Sequence, residues 1–287
     1  MARASPLVSV ITDEISPVLD EALAFVAEEG LTSIDLRMVD RVNFMGLSPE
    51  AMRDAARRIR AAGLTVDCLA TPLLKWPGPG QPFELTGDQF GFDPRERGID
   101  EAYATAFRAA EVFGARRLRI FSYMTYPTFA LVDLRAPIDR LLALAERHDR
   151  EIVIENEPVC NVATIADLAA CLAAYDHPRL GAVLDLGNAY CSRAAPTEAE
   201  LRAVAPRVSI VHIKDFAAAT GRYVPLGEGD VPFDRHLHAV LATPGAGNPP
   251  LVVETHARDD KANVTRASLA ATRALARRLT TRLATHS

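Results

Sequence analysis

The chain has 287 residues, 49% of them hydrophobic and 24% charged, which excludes intrinsic disorder as its main state and leaves room for a large core without cross-links. Its 32 Lys and Arg against 37 Asp and Glu give a net charge of −5, so it lacks the basic footprint of a nucleic-acid binder. The four cysteines (Cys68, Cys160, Cys171, Cys191) form no CxxC pair, no apolar run is long enough to span a bilayer, and the start does not read as a signal peptide. These features predict a cytoplasmic protein with reduced thiols, no membrane and no nucleic-acid partner.

Leu7 to Thr12 reads as a buried strand, followed by a helix with Ser16 as N-cap and Pro17 in its first position, closing at Gly30. Thr32 to Leu36 is a second strand. Ser48-Pro49-Glu50 opens a second helix that closes at Gly63, and Leu64 to Ala70 is a third strand. A loop rich in Pro, Gly and aromatics then runs from about Thr71 to Gly98, long enough to expect a functional loop or lid. A helix at Ile99 to Phe113, a strand at Arg117 to Phe121, a helix at Leu131 to His148 and a strand at Glu151 to Glu155 follow. Next come a helix at Ala163 to Ala174, a strand at Leu180 to Asp185, a helix at Glu198 to Ala205 and a strand at Ser209 to Ile213. A mixed segment with a helix at Pro232 to Leu241 leads to a last strand, Leu251 to Glu254, and a basic, Ala-rich helix from about Lys261.

Eight strands, each followed by helical sequence, predict an α/β chain folded as a single (β/α)8 TIM barrel over residues 5–283. A doubly wound open sheet is the alternative, but no GxGxxG follows the first strand.

A barrel of this kind builds its site at the C-terminal ends of its strands. Strands five to eight each end in a metal-competent side chain: IVIE at Glu155, AVLD at Asp185, IVH at His212 and LVVE at Glu254. Three carboxylates and an imidazole would then face one volume, a set suited to Mn2+, Mg2+, Co2+ or Zn2+. Unpaired carboxylates crowded there would repel one another, which makes a divalent cation the natural neutraliser. Singly, Asp185 could instead cap the next helix, and His212 could be a satisfied half-buried histidine. Glu157 competes with Glu155, but Pro158 ends the strand and puts Glu157 above the mouth.

Around that set, Arg37 could grip a carboxylate or phosphate, or bridge to Asp35 or Asp40. Lys75 could reach over a polyol from the loop that carries Trp76, or be a solvated loop lysine. Lys214, two past His212, is a candidate substrate or enolate contact. Glu228 could orient a ligand or hold its loop, while Gly227 and Gly229 serve the turn. His256 could contact substrate. His148, His177, His236, His238 and His286 read as structural or solvated.

The sequence resembles the sugar phosphate isomerase/epimerase superfamily of xylose-isomerase-like TIM barrels. VIENEP at 153–158, LDLGN at 184–188, VHIKDF at 211–216, LGEGDVPFD at 226–234 and VVETH at 252–256 carry the resemblance, with the opening at 11–37. It implies one divalent metal held by Glu155, Asp185, His212 and Glu254, with Glu155 and Glu254 also serving as acid and base. Asn188 stands where that group's epimerases commonly have histidine, and Lys214 where an arginine is often found nearby. The implied activity is isomerisation or epimerisation of a sugar or polyol by proton removal next to a carbonyl through a metal-stabilised enediolate. A dehydratase of a keto-inositol or dehydroshikimate-like acid uses the same ligands and is the alternative. A non-catalytic sugar-binding protein is more remote. The superfamily's DNA repair nucleases use extra histidines on strands two and three, and this chain has no histidine before His148. A homodimer or homotetramer is an expectation of the resemblance alone.

Overall fold

The structure is a computed structural model that describes residues 4–84, 90–96 and 98–285. Among these, eight parallel strands form the ring: Val8–Val10, Ser33–Leu36, Thr65–Leu69, Arg117–Ile120, Glu151–Glu155, Leu180–Asp185, Val208–Ile213 and Leu251–Val253. Each pairs with its sequence neighbour from the second to the eighth, and the eighth pairs back onto the first. The remaining seam, between the first and second strands, is held by a single parallel bridge from Ile11 to Asp35. This is the (β/α)8 architecture expected from the alternation.

The outer helices follow the apolar periodicity closely. Ile99–Phe113 begins and ends where the sequence places it, and Gly114 closes it at φ +73°, a conformation that costs glycine nothing. The helix Pro49–Ala61 is capped by Ser48, whose hydroxyl accepts the Ala51 N–H. The first helix is different. It starts at Leu19 rather than at Pro17, so Ser16 is not its cap. The Ser16 hydroxyl accepts the Val18 N–H inside the preceding turn, and the Leu19 N–H is taken by the Asp40 carboxylate, 2.9 Å away.

Three short elements lie above the C-terminal ends of the strands and were not foreseen. A hairpin pairs Met38–Val39 with Val42–Asn43, a second pairs Asp215–Ala217 with Arg222–Val224, and a short helix spans Leu186–Cys191. Each is too short to show a hydrophobic period. His286 lies outside the described residues.

Inside the ring, Ile11, Cys68, Val153, Val183, Ile210 and Val252 form an apolar layer separate from the larger core between strands and helices. Side chains two apart on a strand share a face. One layer further on, the same strands therefore present Glu155, Asp185, His212 and Glu254, and Asp13 joins them from the single helical turn Thr12–Glu14 after the first strand. Apolar residues at one level and metal-competent ones at the next are what the strand endings encode.

Candidate metal centre

Glu155, Asp185, His212 and Glu254 converge as expected. All four are buried, and one ligand atom from each lies within 4.8 Å of the others. His212 Nδ1 is 3.1 Å from Glu155 Oε1, 3.2 Å from Glu254 Oε2 and 3.6 Å from Asp185 Oδ2. Burial alone would push the imidazole pKa down, but Glu155 and Glu254 outweigh it and hold it well above the ordinary histidine value.

Asp185 fills both readings open to it. Its Oδ1 accepts the Asn188 N–H at 2.7 Å and so caps the Leu186–Cys191 helix, while Oδ2 faces the cluster. Asn156 clamps this strand end from the side, exchanging two hydrogen bonds with the Asp185 backbone.

The carboxylates are not unpaired, and this corrects the expectation from sequence. Arg119 Nη1 lies 3.0 Å from Glu155 Oε2. The Lys214 ammonium lies 2.9 Å from Asp185 Oδ2 and 2.8 Å from Glu254 Oε2. Arg37 donates to Asp13, Glu14 and Glu254 at 2.9, 2.5 and 2.7 Å, rather than bridging to Asp35 or Asp40. Burial would raise the carboxyl pKa values, yet His212 with Arg119 holds Glu155, and Lys214 with His256 and His212 holds Glu254, below the usual carboxylate range. Five carboxylates (Asp13, Glu14, Glu155, Asp185, Glu254) thus face three fixed cations (Arg37, Arg119, Lys214). With the His212 imidazole protonated the excess is one negative charge; a metal that displaces that proton would meet an excess of two, which matches one divalent ion. Glu155 Oε2 and Asp185 Oδ2 are buried and meet Arg119 and Lys214 as ion pairs whose angles are not those of hydrogen bonds, which leaves each oxygen lone-pair capacity. Oxygen and imidazole donors, residual charge and open lone pairs together fit a hard or borderline divalent cation.

Arg119 was missed from the sequence, although the signal was present. In RLRIF the charges alternate with apolar residues on a strand whose outer face must be buried, so Arg119 has only the barrel interior to enter.

The other expected residues separate into two groups. Asn188, Lys214 and His256 sit against the cluster. Asn188 Nδ2 reaches Glu155 Oε1 at 3.4 Å, and its Oδ1 accepts the Tyr223 hydroxyl at 2.7 Å. His256 Nε2 is 3.1 Å from Lys214 Nζ, and its ring stacks on Tyr223 with centroids 5.1 Å apart. Lys75 and Glu157 pair with one another at 3.6 Å, with the Lys75 ammonium 4.8 Å from the Phe121 ring centroid. Lys75 is buried, so it is not a solvated loop lysine. Glu228 is exposed. The loop around it is held by Asp215, which accepts N–H groups from Gly227, Gly229 and Val231. Gly227 supplies a positive φ, whereas Gly229 is small because a Cβ there would run into the Asp215 carboxylate.

Above the cluster opens a cavity of about 1170 Å³, whose wall includes Glu14, Arg37, Tyr223, Thr255 and His256. It is lined by the loops that follow strands seven, eight, one and two, with Phe90 and Gly91 from the loop after strand three.

The sequence matches the family model described as xylose isomerase-like TIM barrel over residues 23–275. The chain belongs to the xylose isomerase-like TIM barrel family. No curated protein matches it by sequence. Among solved structures, it is similar to the IOLI protein with a binding zinc atom, with a TM-score of 0.72 at 16% identity, covering 95% of this chain and 99% of that one. It is similar to D-allulose 3-epimerase from Methylomonas sp., with a TM-score of 0.72 at 16% identity, covering 96% and 100%. It also resembles the probable 3-DHS dehydratase AsbF from Bacillus anthracis, with a TM-score of 0.67 at 19% identity, covering 93% and 98%. These three structures share the barrel with this chain, and the two whose names give a reaction differ in it. Among the described residues, no helix is long and apolar enough to cross a membrane.

Proposed function

We propose that this chain is a divalent-metal-dependent isomerase or epimerase of a sugar or polyol, working by proton transfer at a carbon next to a carbonyl. The observation that carries this reading is the convergence of Glu155, Asp185, His212 and Glu254 with negative charge left over. One ion of Mn2+, Mg2+, Co2+ or Zn2+, when bound there, would draw off the charge that builds on two substrate oxygens as the proton leaves.

The remaining chemistry belongs to the side chains. Glu155 and Glu254 stand on the first and last of four successive strands, so substrate lying across the cluster would have one on each flank. Their cationic partners keep both ionised despite burial, ready to accept a proton. Glu155 is steered by Asn188 and Arg119, and Glu254 by Arg37 and Lys214. One carboxylate takes the proton and the other returns it. Return to the opposite face of the same carbon is epimerisation, and return to the neighbouring carbon is isomerisation. Lys214, between Asp185, Glu254 and His256, is placed to donate to a substrate oxygen. Lys75 and Glu157 offer a second polar pair for substrate hydroxyls, and Arg37 closes the strand-two side.

The test is elemental analysis of purified protein, then incubation with ketoses, keto-inositols and dehydroshikimate in heavy water, read by NMR. One equivalent of metal, lost in both Asp185→Asn and His212→Ala, with deuterium entering a single carbon, supports the reading. Stoichiometric metal retained in both variants overturns the ligand set. Loss of water from substrate moves the reaction to the dehydratase class.

A further inference from the structure

Resting on that reading of the site, we infer that the substrate carries an anionic group, phosphate or carboxylate, gripped by Arg222 and Arg258 at the cavity wall with Arg41 and Lys261 beside them. All four line the cavity above the cluster. They arrive from three separate places: Arg41 from the turn of the first hairpin, Arg222 from the second hairpin, Arg258 and Lys261 from the segment after strand eight. Two of the cavity's acids, Asp13 and Glu14, are already held by Arg37, which leaves Asp259 as the remaining one among the described lining residues. Five Lys and Arg against three acids around one cavity is a local reversal in a chain of net charge −5.

The cavity arginines other than Arg37 also lack the partners that many arginines on the outer helices have. On the outer helices Arg53, Arg57 and Arg202 each pair with a carboxylate three or four residues away. Arg41, Arg222 and Arg258 have no carboxylate within 4.0 Å among the described residues. Guanidinium groups lining one cavity without counter-charges make it attractive to an anionic ligand. A guanidinium fork also suits two oxygens of a phosphate or carboxylate better than lone hydroxyls. Lys261 is anchored, its ammonium donating to the Asp13 carbonyl at 2.8 Å, which fixes a positive charge at the foot of the wall. Because the wall continues into Glu14, Arg37 and His256, which contact Glu254 or its partners, one molecule can place its reacting carbons at the cluster and its anion on the arginines. Loops after strands seven and eight commonly serve as anion sites in this architecture.

The experiment is calorimetric titration of chelator-treated, full-length protein with inorganic phosphate and, separately, with malonate. It is repeated on the Arg222→Ala/Arg258→Ala double variant, with its melting temperature as the folding control. Binding of either probe, weakened at least about tenfold in a double variant of unchanged melting temperature, supports the proposal. Preference for phosphate marks a phosphorylated substrate, and preference for malonate marks a sugar acid or keto acid. No binding of either probe, or binding indifferent to the two arginines, overturns it. The titration needs no metal and no turnover. Anion binding in a protein that proves metal-free and inactive would therefore leave this site standing while the catalytic reading falls. Turnover of an uncharged ketose with a KM untouched by the double variant would do the reverse.

Discussion

At the N-terminal end of the barrel, Arg117 lies 2.5 Å from Asp67 and 3.0 Å from Glu151, Arg116 stands 3.9 Å from Glu151, and the Ser209 hydroxyl donates to Glu151. At the C-terminal end, Glu155, Asp185, Glu254, Asp13 and Glu14 share Arg37, Arg119 and Lys214. Between the two lies the apolar layer of Val153, Val183, Ile210 and their neighbours. The lower network closes on itself: two carboxylates meet two guanidiniums. The upper one has five carboxylates against three fixed cations and is left with surplus negative charge. One fold thus carries a finished polar cluster and an unfinished one. The contrast separates charges that hold the barrel together from charges kept ready for something else.

The sharpest way to break this contrast is at the upper end. Glu155→Gln and Glu254→Gln should each lower the rate of proton exchange by about 10³-fold while leaving the melting temperature close to that of the parent, because the reacting carboxylate is lost and the fold is not. Rates within a few-fold of the parent would remove both from the chemistry. At the lower end the expected pattern inverts. Arg117→Ala leaves Asp67 and Glu151 without their shared cation and should cost about 3 kcal/mol of stability, read by denaturant titration, with the kcat of surviving folded protein unchanged.

Asp35 tests the partition between the ends. It sits at the level of Cys68 in the middle layer, and burial, reinforced by Asp67, raises its pKa from 3.8 to about 7. Between those two values the folded chain keeps a proton that the unfolded chain has released, so stability falls as pH rises through that window. Asp35→Asn removes that slope. Its melting temperature should match the parent near pH 4 and exceed it increasingly towards pH 7, by about 1.4 kcal/mol for each unit crossed. A constant difference across pH would mean that Asp35 is ionised in the folded state. The smallest effect should come from the metal itself. Chelation of a protein loaded at about a hundred times its dissociation constant should remove about 2.7 kcal/mol, a fall of roughly 5 °C in melting temperature, and should leave the cost of Arg117→Ala unaltered.

The fold was legible because its signal is long-ranged and redundant. Strand-helix alternation repeats eight times, and four successive strands end in donors at one level, so even boundary errors of one or two residues leave Glu155, Asp185, His212 and Glu254 in place. What was illegible depends on partners distant in sequence. Nothing near Glu155 announces Arg119, and nothing near Arg37 announces that Asp13, Glu14 and Glu254 together would claim its guanidinium. The hairpins that carry Arg41 and Arg222 are two or three residues per strand, below the length at which alternation can be read. Asp185 shows the limit in one side chain: helix cap and cluster member are served by different oxygens.

Asp40 has a consequence of a different kind. Its carboxylate receives the Leu19 N–H at the start of the first helix and, through its other oxygen, the Arg58 guanidinium of the second. The first helix is therefore synthesised before the residue that completes it. Order of synthesis and order of completion run in opposite directions over the opening third of the chain, and the early helix must wait, frayed at its leading end, for the second strand and its turn to arrive.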